Sequence, residues 1–250
     1  MKDKVVIITG AARGLGQKYC IEFAKAGAHI VAADIASCNE TEKLVKNVGG
    51  ECLNLELDVT DFDSCLNLAS KTLEKFNKID VLVNNAALYG TLKSSRFEDI
   101  ESDQWDKAMN VNVKGVWNCC RAVVPSMRTQ KSGSIINIAS LAAIYGMPYA
   151  ADYASSKAAV LGLTRVIARE VGKDGIRVNS VAPSMVRTDS AAEFLGEKAD
   201  RAFDVIAKGQ ILQKTLEVDD IYGTILYLAG NQSKFVTGQT LMVDGGSVLL

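Results

Sequence analysis

Short apolar runs that alternate with helix-like segments constrain this chain more than any other feature of its sequence. The runs are largely β-branched and cover residues 5–8, 29–33, 52–57, 81–83, 134–138, 177–181 and 240–243. Between most of them apolar residues recur with a spacing near 3.6, as in 17–26, 61–76, 104–127, 153–171 and 218–229. Strands that are apolar throughout are typical of parallel sheets covered by helices on both faces. The alternation therefore predicts a three-layer α/β fold, with a seven-stranded parallel sheet and about six helices.

The chain has 250 residues, and no linker, charge run or low-complexity stretch divides it. We therefore expect a single domain over residues 1–250. Residues 184–215 interrupt the alternation, because they are mixed in character and too long for an ordinary connection. Long irregular insertions of this kind are often lids, so this segment is predicted to be a substrate-binding lid.

Charge and composition exclude several classes of function. Lys and Arg total 28 against 29 Asp and Glu, a balance that gives no footprint for nucleic acid or an acidic membrane surface. No apolar run has the length of a signal peptide or a membrane span. The six cysteines form no CxxC pair and there is one histidine, so we expect reduced thiols, no metal site and a cytoplasmic protein.

A glycine-rich loop follows the first apolar run. It reads Thr9-Gly10-Ala11-Ala12-Arg13-Gly14-Leu15-Gly16 and leads directly into a helical segment. Glycines there permit a tight turn and let backbone N–H groups approach a pyrophosphate, while the helix N-terminus adds partial positive charge. The GxxxGxG spacing alone also fits an ordinary strand-to-helix turn. Its place after the first strand favours dinucleotide binding by this loop.

Two residues give opposite indications about the dinucleotide. Asp34 ends the second strand, where a carboxylate can accept hydrogen bonds from the adenine-ribose hydroxyls of NAD and would repel the 2′-phosphate of NADP. Arg13 indicates the reverse, since a basic residue in the glycine-rich loop could pair with a 2′-phosphate. We favour NAD, because the Asp34 carboxylate would occupy the ribose-facing position itself.

Tyr153 and Lys157 stand four residues apart in a helical segment and so share one face. Ser140 follows the strand at 134–138, and the carboxyl ends of parallel strands line the ligand crevice. A nearby ammonium lowers the pKa of a tyrosine, which could then exchange a proton with an alcohol or ketone while Ser140 holds the same oxygen. A second YxxxK, Tyr89 to Lys93, lies in a glycine-containing loop and is interpreted as coincidence.

These motifs together resemble the short-chain dehydrogenase/reductase family. They occur in family order over essentially the whole chain: Thr9 to Gly16, Asn84-Asn85-Ala86, Asn112, Ser140, Tyr153 and Lys157. The resemblance implies a Rossmann-type sheet of order 3-2-1-4-5-6-7, a homotetramer, and hydride transfer between nicotinamide and a secondary alcohol or ketone.

The resemblance also implies roles for single residues. Asn112 would distort its helix and hold a water in a proton relay, and Lys157 would bind the nicotinamide ribose. Asp58 would bond the adenine amino group, Asn84 would brace the sheet beside the cofactor, and Thr188 would contact the carboxamide. The full set expected to contact the cofactor is Gly10, Arg13, Gly14, Leu15, Gly16, Asp34, Asp58, Val59, Asn84, Ala86, Tyr153, Lys157, Pro183, Val186 and Thr188.

Two departures from the family pattern concern the substrate. The usual NNAG is Asn84-Asn85-Ala86-Ala87, and Ser184 replaces the usual glycine after Pro183. The latter loop resembles that of bacterial aryl secondary-alcohol dehydrogenases of the 1-phenylethanol type, which favours a small apolar alcohol or ketone. Candidate pocket residues, which could equally fill the core, are Leu141, Tyr145, Met147, Tyr149, Met185, Leu195 and Phe203.

Two other functions stay open at this stage. One is an NADPH-dependent ketone or 3-oxoacyl reductase of the same family, which Arg13 favours. The other is a dinucleotide-sensing regulator without turnover, which would have no need of Asn112, Ser140, Tyr153 and Lys157 together.

Overall fold

A single parallel sheet forms the middle layer of the molecule. The computed structural model describes residues 1–249, which leaves Leu250 of the predicted domain outside the described residues. The strands are β1 (Val5–Thr9), β2 (His29–Asp34), β3 (Cys52–Glu56), β4 (Val81–Asn84), β5 (Gly133–Ile138), β6 (Ile176–Pro183) and β7 (Thr240–Val243). Their order is β3-β2-β1-β4-β5-β6-β7, and each neighbouring pair is parallel. The predicted sheet is confirmed.

Alternate side chains of the strands enter two separate cores. Val5 and Ile7 of β1 pack in one core with helices on one face, whereas Val6 and Ile8 pack in the other. This follows from the two-residue period of a strand, and it explains why a strand buried on both faces is apolar throughout. The three-layer Rossmann arrangement is therefore built from the same residues that predicted it.

Residues 1–249 contain ten α-helices, more than the six expected. They are α1 (Gly14–Lys25), α2 (Asn39–Asn47), α3 (Phe62–Phe76), α4 (Ser102–Met109), α5 (Gly115–Gln130), α6 (Ala142–Tyr145), α7 (Ala151–Val171), α8 (Asp189–Leu195), α9 (Ala199–Gly209) and α10 (Val218–Ala229). Helices α3, α5 and α7 cover one face of the sheet, and α1, α2 and α10 cover the other. None of the described helices is both long and apolar enough to cross a bilayer.

The helix predicted over 104–127 is divided in the structure. Helices α4 and α5 are joined by a π-helical turn, Asn110–Lys114, in which Asn112 is buried. A π turn inserts an extra residue into the helical repeat and is frequent at functional sites. The apolar spacing continues through this turn, so periodicity alone does not detect it.

The irregular segment at 184–215 contains α8 and α9. Its base is narrow, because Val186 and Leu216 form an isolated parallel bridge and the Arg187 N–H donates to the Leu216 carbonyl at 3.0 Å. The excursion therefore leaves the end of β6 and returns to almost the same place before α10 begins.

Candidate active site

A cleft of about 790 Å³ opens at the carboxyl ends of the strands. Residues that follow β1, β2, β3, β4, β5 and β6 all line it. The strand order reverses direction between β1 and β4, and ligands of open α/β sheets bind beside such a switch point.

The glycine-rich loop forms one end of this cleft, where Gly10, Arg13, Gly14 and Leu15 line the wall. Gly10 has a φ of +66°, and a Cβ there would lie 2.8 Å from the Ala86 Cα. A Cβ on Gly16 would collide with the Gly10 carbonyl oxygen, so Gly16 shapes the turn without reaching the cleft itself. Because α1 begins at Gly14, its unpaired N–H groups and partial positive charge face this space.

Asp34 lies at the same end of the cleft and is held by the backbone on both carboxylate oxygens. Its Oδ2 accepts from the Ala12 N–H at 2.9 Å and its Oδ1 accepts from the Ala36 N–H at 3.0 Å. These bonds fix the carboxylate beside the glycine-rich loop, where it lines the cleft.

Arg13 does not extend freely into the cleft. Its guanidinium forms a two-pronged ion pair with Glu193 of α8, with Nη1–Oε1 and Nη2–Oε2 distances of 2.7 and 3.2 Å. The hydrogen bond raises the pKa of Arg13 and lowers that of Glu193. Nothing in the sequence signals this pair, because its members are 180 residues apart.

The third and fourth strands supply the next part of the wall. Asp58 and Val59 line the cleft, and Asp58 Oδ1 accepts from both the N–H and the hydroxyl of Thr60 at 2.8 Å. Ala86 also lines it.

The side chain of Asn84 is buried and does not line the cleft, so its expected contact with a cofactor stays a prediction. Its Nδ2 donates to Asn137 Oδ1 at 2.8 Å and to Cys120 Sγ at 3.4 Å. It braces β4 against β5 and α5, and the neighbouring Asn85 lines the cleft instead.

Tyr153 and Ser140 meet in the middle of the cleft. Ser140 lies just beyond β5, where its Oγ accepts from the Ala142 N–H at 3.1 Å, and Tyr153 lies in the first turn of α7. Burial raises the pKa of Tyr153 to about 12, and a hydrogen bond with the Ser140 side chain acts in the opposite direction. Both residues line the cleft, as predicted.

Lys157 follows Tyr153 by one helical turn and is 2% exposed. Its Nζ donates to the Ile138 carbonyl at 2.8 Å and lies 5.8 Å from the centre of the Tyr153 ring. Burial lowers the pKa of Lys157 to about 8. The lysine is therefore mostly protonated at pH 7, with its ammonium 5.8 Å from the centre of the Tyr153 ring.

Asn112 is fully buried and does not line the cleft. Its Oδ1 accepts from the Leu88 N–H at 2.7 Å, and its Nδ2 donates to the Leu88 carbonyl at 3.1 Å and to Ser156 Oγ at 3.0 Å. Ser156 Oγ donates in turn to the Tyr153 carbonyl at 2.7 Å. The side chain of Asn112 thus connects the loop after β4 to the helix that carries Tyr153, and its expected part in a proton relay stays a prediction.

Tyr89 is a cleft residue that the sequence interpretation missed. Its ring centre lies 4.6 Å from that of Tyr153 and 4.6 Å from that of Phe194 on α8. The pairing of Tyr89 with Lys93 is coincidence, since Lys93 does not line the cleft. Tyr89 itself connects the loop after β4, the Tyr153 side chain and the irregular segment.

The remaining wall is mostly apolar. Of the seven predicted pocket residues Leu141, Tyr145, Met147 and Met185 line the cleft, together with Pro183, Val186 and Thr188. Tyr149, Leu195 and Phe203 do not line it, and Phe203 lies under the Arg187 guanidinium at 4.7 Å. Thr188 also caps α8, since its Oγ1 accepts from the Ala191 N–H at 3.2 Å. Ile206, Ser247 and Val248 join the wall from α9 and the end of the chain.

Comparison with known proteins identifies the family. A family model described as "Enoyl-(Acyl carrier protein) reductase" matches residues 10–247. The 3-oxoacyl-[acyl-carrier-protein] reductase FabG of Thermotoga maritima is 39% identical over 253 residues, covering 100% of this chain and 99% of the relative. The chain belongs to the short-chain dehydrogenase/reductase family.

Solved structures of this family have the same fold. Levodione reductase superposes with a TM-score of 0.93 at 29% identity, covering 98% of this chain and 97% of that chain. Carveol dehydrogenase from Mycobacterium avium, solved in complex with NAD, gives a TM-score of 0.91 at 28% identity, covering 99% and 98%. As a short-chain dehydrogenase/reductase the chain is an oxidoreductase that uses a nicotinamide dinucleotide.

The cleft of this short-chain dehydrogenase/reductase fits such a dinucleotide. The turn at Gly10 and Gly16 has no room for a side chain, so backbone and the start of α1 face the space where a pyrophosphate would lie. Within residues 1–249 no group of three His, Cys, Asp or Glu side chains is arranged to hold a metal ion.

Proposed function

We propose that the chain is an NAD(H)-dependent oxidoreductase that interconverts an apolar secondary alcohol and its ketone. The observation that carries the proposal is one cleft in which Ser140, Tyr153 and Lys157 meet a mostly apolar wall, with Asp34 at the opposite end. The bound nicotinamide supplies the hydride acceptor or donor. The protein supplies orientation and the proton.

Tyr153 is the proposed acid and base, and Ser140 positions the reacting oxygen. With a pKa raised to about 12, the Tyr153 hydroxyl is protonated at pH 7 and can donate to the oxygen of a ketone undergoing reduction. In the oxidation direction the phenolate requires nearby positive charge, which the Lys157 ammonium supplies. Asn112 is proposed to keep α7 and the loop after β4 in the geometry that this exchange requires.

The proposed cofactor-binding groups line the other half of the cleft. The loop from Gly10 to Gly16 would hold the pyrophosphate, and Asp58 and Val59 would lie beside the adenine. Asp34 would accept from the ribose hydroxyls, and a 2′-phosphate about 4 Å away would meet repulsion of about 1–4 kcal/mol, depending on the effective dielectric. Ala86, Pro183, Val186 and Thr188 would enclose the nicotinamide with Tyr153 and Lys157.

The substrate end favours a neutral, apolar compound. Among the described residues that line the cleft, the charged ones are Arg13, Asp34, Asp58 and Lys157, all of them assigned to the cofactor or to catalysis. Leu141, Met147 and Met185 offer apolar surface, and Tyr145 offers an aromatic face that stacks on planar groups. The Tyr89 ring packs between Tyr153 and Phe194 and offers its edge to an aromatic group.

A second candidate is an NADPH-dependent ketone or 3-oxoacyl reductase. It is favoured by the name of the Thermotoga maritima relative, a 3-oxoacyl-[acyl-carrier-protein] reductase, and by the presence of Arg13 at the cofactor end. The bond between Arg13 and Glu193 favours the NAD proposal over this one.

The proposal also includes a homotetramer in the cytoplasm and a lid formed by residues 184–215. Phe235 and Trp117, both exposed apolar side chains, are available for subunit contacts, and Phe194 contacts Tyr89 from the lid. Size-exclusion chromatography with light scattering tests the assembly.

The experiment that tests the function is NADH formation at 340 nm with a panel of secondary alcohols, run in parallel with NAD and NADP. Turnover of aryl or alicyclic alcohols with NAD is the expected result. Turnover with NADP alone would select the second candidate. Dinucleotide binding without turnover across the panel would contradict both and support a sensor.

A further inference from the structure

Glu193 of α8 contacts the glycine-rich loop through Arg13, 180 residues earlier in the chain. Its carboxylate oxygens accept hydrogen bonds from both terminal nitrogens of Arg13, at 2.7 and 3.2 Å. The side chains are partly exposed, 58% for Arg13 and 43% for Glu193, so this pair lies at the mouth of the cleft and not in the core.

The position of Glu193 is fixed by more than the ion pair. A Cβ on Gly90 would lie 2.6 Å from Glu193 Oε2, so the carboxylate lies directly against a residue that has no side chain. The adjacent Phe194 stacks on Tyr89, and Thr188 caps the start of α8. Exposed ion pairs are weak largely because two long side chains must be ordered. Here the contact with Gly90 and the packing of Phe194 already order the Glu193 side chain.

Arg13 is the cationic side chain that a 2′-phosphate would need. Among the described residues lining the cleft, the other cation is Lys157, which lies beside Tyr153 at the catalytic centre. Asp34, which the proposed function assigns to the adenine ribose, would repel a 2′-phosphate. An arginine binds phosphate best when two guanidinium N–H groups donate in parallel. In this structure both terminal nitrogens of Arg13 already donate to Glu193.

We propose that Glu193 is a specificity-determining residue for the dinucleotide: it occupies the Arg13 guanidinium and thereby withholds it from a 2′-phosphate. The inference rests on the proposed function in one respect, the assignment of this cleft to a nicotinamide dinucleotide. In this arrangement Asp34 selects against NADP by repelling its 2′-phosphate. Glu193 selects against NADP by removing the attraction between that phosphate and Arg13. A 2′-phosphate must break the Arg13–Glu193 pair before it can be bound.

The test is the binding of NAD and NADP by isothermal titration calorimetry, which needs no substrate and no turnover. Glu193→Gln keeps the shape of the side chain and removes its charge. We expect it to improve NADP binding relative to NAD by about five-fold, the upper range for an exposed ion pair. Glu193→Ala should do the same, and circular dichroism checks that each variant is folded.

Two further variants separate the mechanism from a general charge effect. Glu197→Gln removes a like charge on the same segment whose carboxylate forms no ion pair within residues 1–249, and it should leave the ratio unchanged. Adding Arg13→Gln to Glu193→Gln should abolish the gain. An unchanged ratio in Glu193→Gln, an equal gain in Glu197→Gln, or a gain that survives loss of Arg13 would each overturn the proposal.

The same titrations distinguish this inference from the proposed function. The wild-type preference tests NAD as the cofactor, whereas the change of preference in Glu193→Gln tests the role of Glu193. A wild-type protein that prefers NADP would refute the NAD assignment, and the effect of Glu193 would still be measured as the difference between the variants.

Discussion

Lys157 is a charge buried at a cost to stability, and its replacement by methionine provides a sharp test of the site. The residue is 2% exposed, and its Nζ has one protein acceptor, the Ile138 carbonyl at 2.8 Å. Methionine has nearly the same length and no charge to desolvate. We expect Lys157→Met to lose turnover and, at pH 7, to be more stable than the wild type.

The size of the effect follows from the pKa of Lys157, which burial lowers from 10.5 to about 8. That difference corresponds to about 3 kcal/mol of desolvation cost when the lysine is protonated. The hydrogen bond from the ammonium to Ile138 offsets about 2 kcal/mol of this cost. Lys157→Met should therefore raise the free energy of unfolding by about 1 kcal/mol at pH 7, or the Tm by about 2–4 °C.

The pH dependence has a definite sign. Well below pH 8, Lys157 is protonated in both the folded and the unfolded protein, and the whole desolvation cost of the buried ammonium is present. Between pH 8 and 10.5 the unfolded chain binds more protons than the folded one, so the stability of the wild type rises with pH. By pH 9.5 about 2 kcal/mol of the cost has disappeared. Lys157→Met lacks this rise in stability, so at pH 9.5 it should be less stable than the wild type by about 1 kcal/mol.

The assay is urea denaturation at pH 7 and pH 9.5, at one protein concentration and without cofactor. Lys173→Met, a change at an exposed lysine, is the matched control and should show neither the stabilisation nor the crossover. A Lys157→Met protein that is less stable at pH 7, or a difference from wild type that is the same at both pH values, would refute the reasoning.

Three other substitutions test the site. Tyr153→Phe should lower kcat by about 10²- to 10⁴-fold, because the acid and base is removed, while calorimetric NAD binding stays within about two-fold; near-normal turnover would exclude the proposed role. Tyr89→Leu should lower kcat/KM for aryl relative to alkyl alcohols by about five-fold, since the ring between Tyr153 and Phe194 is lost; an unchanged ratio would place the substrate elsewhere. Asn112→Leu should reduce the free energy of unfolding in urea by about 2 kcal/mol, because the Leu88 N–H loses its acceptor; unchanged stability would contradict this.

Local sequence patterns predicted the parts of this molecule that depend on neighbours along the chain. The strands follow from runs buried on both faces, and Tyr153 and Lys157 share a helix face because they are four residues apart. The period of two in β4 also predicts which side of the sheet the Asn84 side chain faces. Leu82 points toward α5 and α7, and Asn84, two residues later, bonds Cys120 on the same side.

The parts that were missed depend on tertiary contacts. Glu193 meets Arg13 across 180 residues, and no spacing rule connects an exposed glutamate with a glycine-rich loop. Tyr89 gains its place from Phe194, which comes from the irregular segment where periodicity gives no register. The π turn leaves the apolar pattern intact, so periodicity did not detect it; the distortion at Asn112 was expected from the family resemblance alone.

Because Val186 and Leu216 form a bridge, the part of the chain between them can vary without disturbing the rest of the fold. The bridge holds the two ends of this insert together just beyond the carboxyl end of β6, so a change of length or sequence between them need not alter the register of β6 or the start of α10. The entropy of closing such a loop grows only slowly with its length. Evolution can therefore reshape the part of the cleft wall that this insert supplies, while the strands and the helix that carries Tyr153 are inherited unchanged.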